Sequence, residues 1–263
     1  MKAVKGIKWI PVLFLMPALL AGCVASGDET MPDSLVQTGS EQQPDIISWF
    51  TADISYDGKE ELLLITKDSS DGAMSLDSGE PYGRYIDIYS EYDIQNNIPK
   101  PQGEPLYRFD LTDIKPLYIQ AGDIDGDGTV EIAVCVYKTA EFHPVPAKRP
   151  FFYDLQDGQL EPVWLGSRLS RPFADYILFD VDRDDIAEII SIEYTENGNK
   201  VLAVYDWKGF GFEVKTQTGE IEDTVTFLKH TNDRSDMILV EIGGESHQLC
   251  LDEGEVIRCI KEH

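Results

Sequence analysis

Residues 121–134, AGDIDGDGTVEIAV, set three aspartates on alternate positions, Asp123, Asp125 and Asp127, ahead of Gly128, Glu131 and an apolar run. The chain carries 48 acidic against 22 basic residues, a formal charge of −26, so crowding carboxylates into one turn calls for a compensating charge. Like charges at this spacing repel and raise one another's pKa unless something positive lies between them. Solvent or a cation must supply it.

The stretch is one of four. Residues 45–66 (DIISWFTADISYDGKEELLLIT), 116–137 (PLYIQAGDIDGDGTVEIAVCVY) and 174–194 (ADYILFDVDRDDIAEIISIEY) share an apolar lead-in, an acidic loop opening at Asp53, Asp123 or Asp180, and a second apolar run. Residues 225–242 keep both apolar runs around an eroded loop, in which Lys229 replaces the first aspartate and Asp233 and Asp236 remain. Each unit continues into a second pair of strands. YDLQDGQLEPVW, VYDWKGFGFEV and LCLDEGEVIRCI each read as strand, glycine turn (Gly158, Gly209, Gly254) and strand, and PLYRFDL (105–111) is the returning strand of the first unit. Glycine supplies the positive φ of short hairpin turns. Short runs of β-branched and aromatic residues without helical periodicity predict an all-β chain, and four units of four strands predict a small β-propeller of about four blades over residues 45–263. A partly open blade array and a sandwich of similar hairpins are the alternatives.

The D-h-D-G-D-G-x-x-E loop at residues 123–131 (h, apolar) resembles the FG-GAP or VCBS repeats of integrin α-subunit propellers and many bacterial surface proteins. The family's Phe-Gly and Gly-Ala-Pro signatures are missing, and the chain is too short for its usual seven blades. Calcium takes six to eight oxygens, commonly from aspartates at alternate positions, a backbone carbonyl and a closing acid. The second loop offers Asp123, Asp125, Asp127, the Thr129 carbonyl and Glu131, and the resemblance implies the same assignment. The third offers Asp180, Asp182, Asp184 and Glu188, with Asp185 in place of the glycine. The first offers Asp53, Ser55, Asp57 and Glu61. The fourth is expected to hold no ion. The competing explanation is that aspartates in turns simply bond their own backbone amides.

The first 22 residues read as an export signal: Lys2, Lys5 and Lys8 precede the apolar IPVLFLMPALL, which Pro11 and Pro17 interrupt. LAGC, residues 20–23, resembles the lipobox of bacterial lipoproteins, which implies cleavage before Cys23 and a diacylglyceryl thioether on its sulfur. An ordinary secretory signal is the alternative. Residues 24–44 hold no aromatic and few large apolar groups, the composition of a flexible linker. The expectation is a lipid-anchored protein on the extracytoplasmic face of the cell membrane.

So acidic a domain lacks the basic footprint that nucleic-acid binding needs. No nucleophile elbow, phosphate loop or dinucleotide fingerprint appears, and the four histidines share no ligand spacing. The expected function is therefore a calcium-stabilised module that binds a protein or glycan partner, with a tethered hydrolase or lyase acting on envelope polymers as the alternative. Two insertions, residues 67–83 and 138–150, are expected to be loops, the second presenting Phe142, His143, Lys148 and Arg149 as an aromatic and basic patch. Trp49, Trp164 and Trp207 are expected in the core, Cys135 as a buried hydrophobe, and Cys250 with Cys259 as a possible disulfide across a hairpin.

Overall fold

A strand with one covered face alternates apolar and polar residues, whereas one covered on both faces reads as an unbroken apolar run. The second strand of each of the first three units is of the latter kind: ELLLIT, EIAVCV and EIISIE are buried at every position. The computed structural model, which describes residues 44–228, 238–252 and 255–260 (the last strand by its backbone), shows why. Four antiparallel sheets are arranged as a four-bladed β-propeller, and the second strands of blades 2 and 3 are each packed between two neighbouring blades.

Blade 1 comprises β1 (Asp45–Ala52), β2 (Glu61–Lys67) and β3 (Tyr85–Tyr89). A projecting hairpin of β4 (Tyr92–Gln95) and β5 (Ile98–Pro101) follows, and β6 (Tyr107–Asp110) completes the sheet. Blade 2 is β7 (Pro116–Gly122), β8 (Glu131–Ala140), β9 (His143–Gln156) and β10 (Gln159–Leu165). Blade 3 is β11 (Phe173–Phe179), β12 (Glu188–Tyr194), β13 (Lys200–Trp207) and β14 (Phe212–Gln217). Blade 4 is β15 (Val225–Phe227), β16 (Ile238–Ile242), β17 (Glu245–Asp252) and β18 (Glu255–Ile260). Each blade comes from one contiguous segment, as the repeat pattern predicts. Among the described residues no helix is long and apolar enough to cross a membrane.

Alternate residues of β8 and β12 enter different cores. Ile132, Val134 and Val136 of β8 pack with Leu63, Ile65, Ile86 and Ile88 of blade 1. Ala133 and Cys135, between them in sequence, pack with Tyr176, Ile189 and Tyr205 of blade 3. Ile190 and Ile192 of β12 then join Ile238, Val240 and Ile242 of blade 4. Each such fully buried aliphatic side chain contributes about 1.5–3 kcal/mol. Polar side chains also join the innermost strands. The Gln120 amide donates to Tyr176 O at 3.1 Å and accepts from Leu178 N at 2.9 Å, so one side chain spans β7 and β11 as a strand would. Ser48 Oγ accepts from Ile119 N between β1 and β7.

Trp164 and Trp207 each meet Phe212 edge to face, and Trp49 packs on Leu62 and Leu64, as expected of core residues. Cys135 is fully buried, and burial pushes its thiol up to about 12. The β17–β18 register sets Cys250 opposite Ile257 and Cys259 opposite Gln248; the side chain of Cys259, like residues 229–237 of the fourth loop and Cys23, lies outside the described residues.

The insertions depart from expectation. Residues 138–150 are not a loop but the far half of the β8–β9 hairpin, paired Tyr137 with Lys148, Lys138 with Ala147 and Ala140 with His143. Nor do they present a basic patch. Arg149 is 2% exposed, with Nε donating to Lys138 O at 2.8 Å and Nη2 to His143 O and Val145 O at 3.0 and 3.2 Å. Lys148 Nζ is taken by Glu80 and by Ala174 O. His143 Nδ1 faces the Phe142 carbonyl, and of the four residues only Phe142, 84% exposed, stands fully in solvent. Residues 67–83 are ordered too: a 3-10 turn at Ser69–Asp71 pairs with Arg84, and Leu76 is buried in the core between blades 2 and 3.

Candidate metal centre

Each acidic loop joins the first and second strands of a blade, and the three described loops share one conformation. Its fourth and sixth residues are left-handed throughout: Tyr56 and Gly58 (φ 59° and 84°), Gly126 and Gly128 (77° and 85°), Arg183 and Asp185 (66° and 68°). Asp185 therefore takes the glycine's conformation instead of changing the loop, aspartate being among the side chains that tolerate it best. Gly126 has a further reason to lack a side chain, since a Cβ there would lie 2.7 Å from Ile186 Cδ1 of the next loop.

The opening aspartate organises the turn. Asp123 accepts from Gly126 N at 2.7 Å and Gly128 N at 2.9 Å, Asp53 from Asp57 N and Gly58 N, and Asp180 from Arg183 N, Asp184 N and Asp185 N. The fifth residue accepts from the amide two residues on: Lys59 N to Asp57, Thr129 N to Asp127, Ile186 N to Asp184. Thr129 also donates its hydroxyl to Asp127, which holds that carboxyl below its ordinary value. The closing glutamate turns inward. Glu61, Glu131 and Glu188 are buried, each accepting from the amide of the loop's second residue, Ile54, Ile124 or Val181, at 3.0, 2.9 and 2.9 Å. Adjacent loops are also linked: Val130 N donates to Tyr56 OH at 2.6 Å, and Ala187 N donates to Asp123 O at 2.7 Å.

Among the described residues, triads of acidic groups with oxygens within 4.8 Å of one another form at Asp123–Asp125–Asp127 and at Asp180–Asp182–Glu188. The first loop, with exposed Ser55 at its third position, supplies none. The two triads differ in charge balance. In blade 3, Lys215 of β14 reaches back under the loop, its Nζ 2.6 Å from Asp182 Oδ2, 2.7 Å from Glu188 Oε1 and 3.1 Å from Asp206 Oδ1. In blade 2 no ion pair among the described residues involves Asp123, Asp125, Asp127 or Glu131.

The electrostatic outcome follows. Burial raises the Glu131 carboxyl to about 7, the Ile124 amide offsets part of that, and the charges of Asp125, Asp154 and Asp123 add to it. Asp125 is raised by burial and by Asp127, Asp123 and Asp154, against the Asp127 amide. At the matching position of blade 3, burial also tends to raise Asp182, but the Lys215 ammonium outweighs it and the carboxyl falls below its ordinary value. Burial would likewise lower Lys215, and its three carboxylate partners hold it well above the ordinary lysine value instead.

Two members of these clusters lie outside the loops. Asp154 of β9 and Asp206 of β13 each follow a tyrosine that pairs with the residue after the closing glutamate, Ile132 with Tyr153 and Ile189 with Tyr205. The repeated Tyr-Asp of the third strands is the sequence signal that marks them. Nothing local marks Lys215. The donor set of the second loop, oxygen only and without an internal counter-charge, fits a hard divalent cation. The sequence matches no protein-family model, and no curated protein matches it.

Proposed function

We propose that the protein is a membrane-anchored, extracytoplasmic interaction module whose second-blade loop binds calcium. Asp123, Asp125, Asp127 and Glu131 supply carboxylate oxygens and Thr129 the backbone carbonyl. The ion neutralises a cluster that otherwise repels itself and adds its binding free energy to folding, because the unfolded chain lacks the site. The observation that carries this reading is the contrast between two loops of one conformation: the third has an ammonium against its acids, and the second has equivalent acids with no internal cation. The LAGC sequence ending at Cys23 supports the anchor, and the match of loop sequence and propeller architecture supports the FG-GAP or VCBS kinship. Rigid loops on such a scaffold are where a protein or glycan partner is bound.

Thermal unfolding with calcium and with chelator tests the site. Extracellular calcium modules bind at about 10⁻⁴ to 10⁻³ M, so roughly 10 mM calcium stabilises by about 1.4–2.7 kcal/mol. For a domain of this size that raises the midpoint by roughly 3–11 °C. An unchanged midpoint removes the metal assignment. Detergent partitioning of the wild type and of Cys23→Ser tests the anchor, and equal partitioning of the two refutes it.

A further inference from the structure

We infer that Lys215 is a tethered cation that closes the third-blade loop to metal, and that Val163, at the same place in the second blade, leaves the second loop open. The inference rests on the calcium reading of the second loop and adds to it the residue that decides occupancy.

The equivalence comes from register. In blade 3, Tyr205 pairs with Val214 and Val204 with Thr216, so Lys215 is the bulged residue between them. In blade 2, Tyr153 pairs with Pro162 and Phe152 with Trp164, so Val163 is the bulged residue. Both bulges lie on the fourth strand, opposite the tyrosine that precedes Asp154 or Asp206. Val163 packs against the core between blades 2 and 3, the face onto which Ala133 and Phe152 also project.

The acids of the two blades match in position as well. Lys215 Nζ touches one carboxylate from the loop, one from the second strand and one from the third, Asp182, Glu188 and Asp206. Their counterparts by register and loop position are Asp125, Glu131 and Asp154, and no ion pair among the described residues involves any of the three. A free ion approaching the third loop meets carboxylates already paired with an ammonium that cannot diffuse away. In blade 2 the equivalent strand position carries a valine packed on the core, and no ammonium is paired with the loop acids among the described residues. One strand position thus turns equivalent loops into a metal-independent turn and a metal-dependent one.

Calorimetric titration of calcium into the full chain, wild type against Lys215→Met, Lys215→Arg and Val163→Lys, tests this by stoichiometry. Lys215→Met is expected to bind one calcium more than wild type, Lys215→Arg the same number, and Val163→Lys one fewer. No additional ion in Lys215→Met, or undiminished stoichiometry in Val163→Lys, overturns the inference. A wild type that binds nothing while Lys215→Met binds one ion removes the second-loop reading, and the role of Val163 with it, and supports the role of Lys215 alone. Lys215→Gln, which keeps a long polar side chain, replaces Lys215→Met if the latter does not fold.

Discussion

Replacing Arg149 by methionine removes a buried guanidinium while keeping much of its aliphatic volume. Its Nε and Nη2 donate to three backbone carbonyls, Lys138 O, His143 O and Val145 O, that span the far half of the β8–β9 hairpin. Hydrogen bonds from a charged donor are worth about 1.5–3 kcal/mol each. Burying the charge costs several kcal/mol in return, and carbonyls near a hairpin end regain water once the donor leaves. The net expected loss is about 2–3 kcal/mol, or roughly 4–12 °C in midpoint at this domain size. Denaturant unfolding, followed by tryptophan fluorescence, measures it. The exposed basic residue suggested by the sequence would change stability by no more than about 0.5 kcal/mol, and a value in that range would refute the clamp. The neighbouring Lys148→Met is expected to lose only about 1 kcal/mol, because its ion pair with Glu80 is partly solvated.

Without metal, the raised Glu131 carboxyl makes the folded protein bind more protons than the unfolded chain between about pH 4.5 and 7. Its contribution to stability is thus fully present below that window and lost as pH rises through about 7; in chelator Glu131→Gln should lack that slope, and an identical pH profile would refute the assignment. With calcium the sign of the response reverses, since the carboxyl must lose its proton to bind, so calcium affinity should rise with pH across the same window. Asp185→Gly is expected to stabilise by about 0.5–1 kcal/mol in thermal unfolding, by relieving a side chain at φ 68°, and a destabilised variant would contradict that origin. Cys135, with its thiol pushed up to about 12, should react with thiol reagents only as the protein unfolds, and rapid labelling of native protein would place it elsewhere.

Much of the architecture is legible from residues alone, because each blade reports itself twice: in an acidic loop between apolar runs, and in a hairpin with a positive-φ turn. The expectation of about sixteen blade strands agrees with the four four-stranded sheets. Unbroken apolar runs such as EIAVCV are ambiguous for a lone strand but follow from a second strand packed between blades. The β8–β9 extension misled because Pro144, Pro146 and Pro150 look like loop residues, whereas Pro144 and Pro146 fall in the irregularity between the Lys138–Ala147 and Ala140–His143 pairs and Pro150 sits opposite Cys135 within β9. Arg149 misled because a charged residue is seldom fully buried, and its carbonyl partners carry no sequence signature. In the metal centre the loop acids were legible from their spacing. Lys215 was not, since its link to Asp182 spans 33 residues and depends on a bulge two strands away. Aligning the fourth strands of the units, PVW against VKT, is the comparison that exposes it.

Because the second strand of blade 2 gives Ile132 and Val134 to one neighbour and Ala133 and Cys135 to the other, the chain offers no clean place to cut. A fragment ending after Leu165 would expose Phe152 and Cys135 together, leaving an adhesive wall. Growth by duplication meets the same condition: any unit added between two others must arrive with a middle strand apolar on both sides.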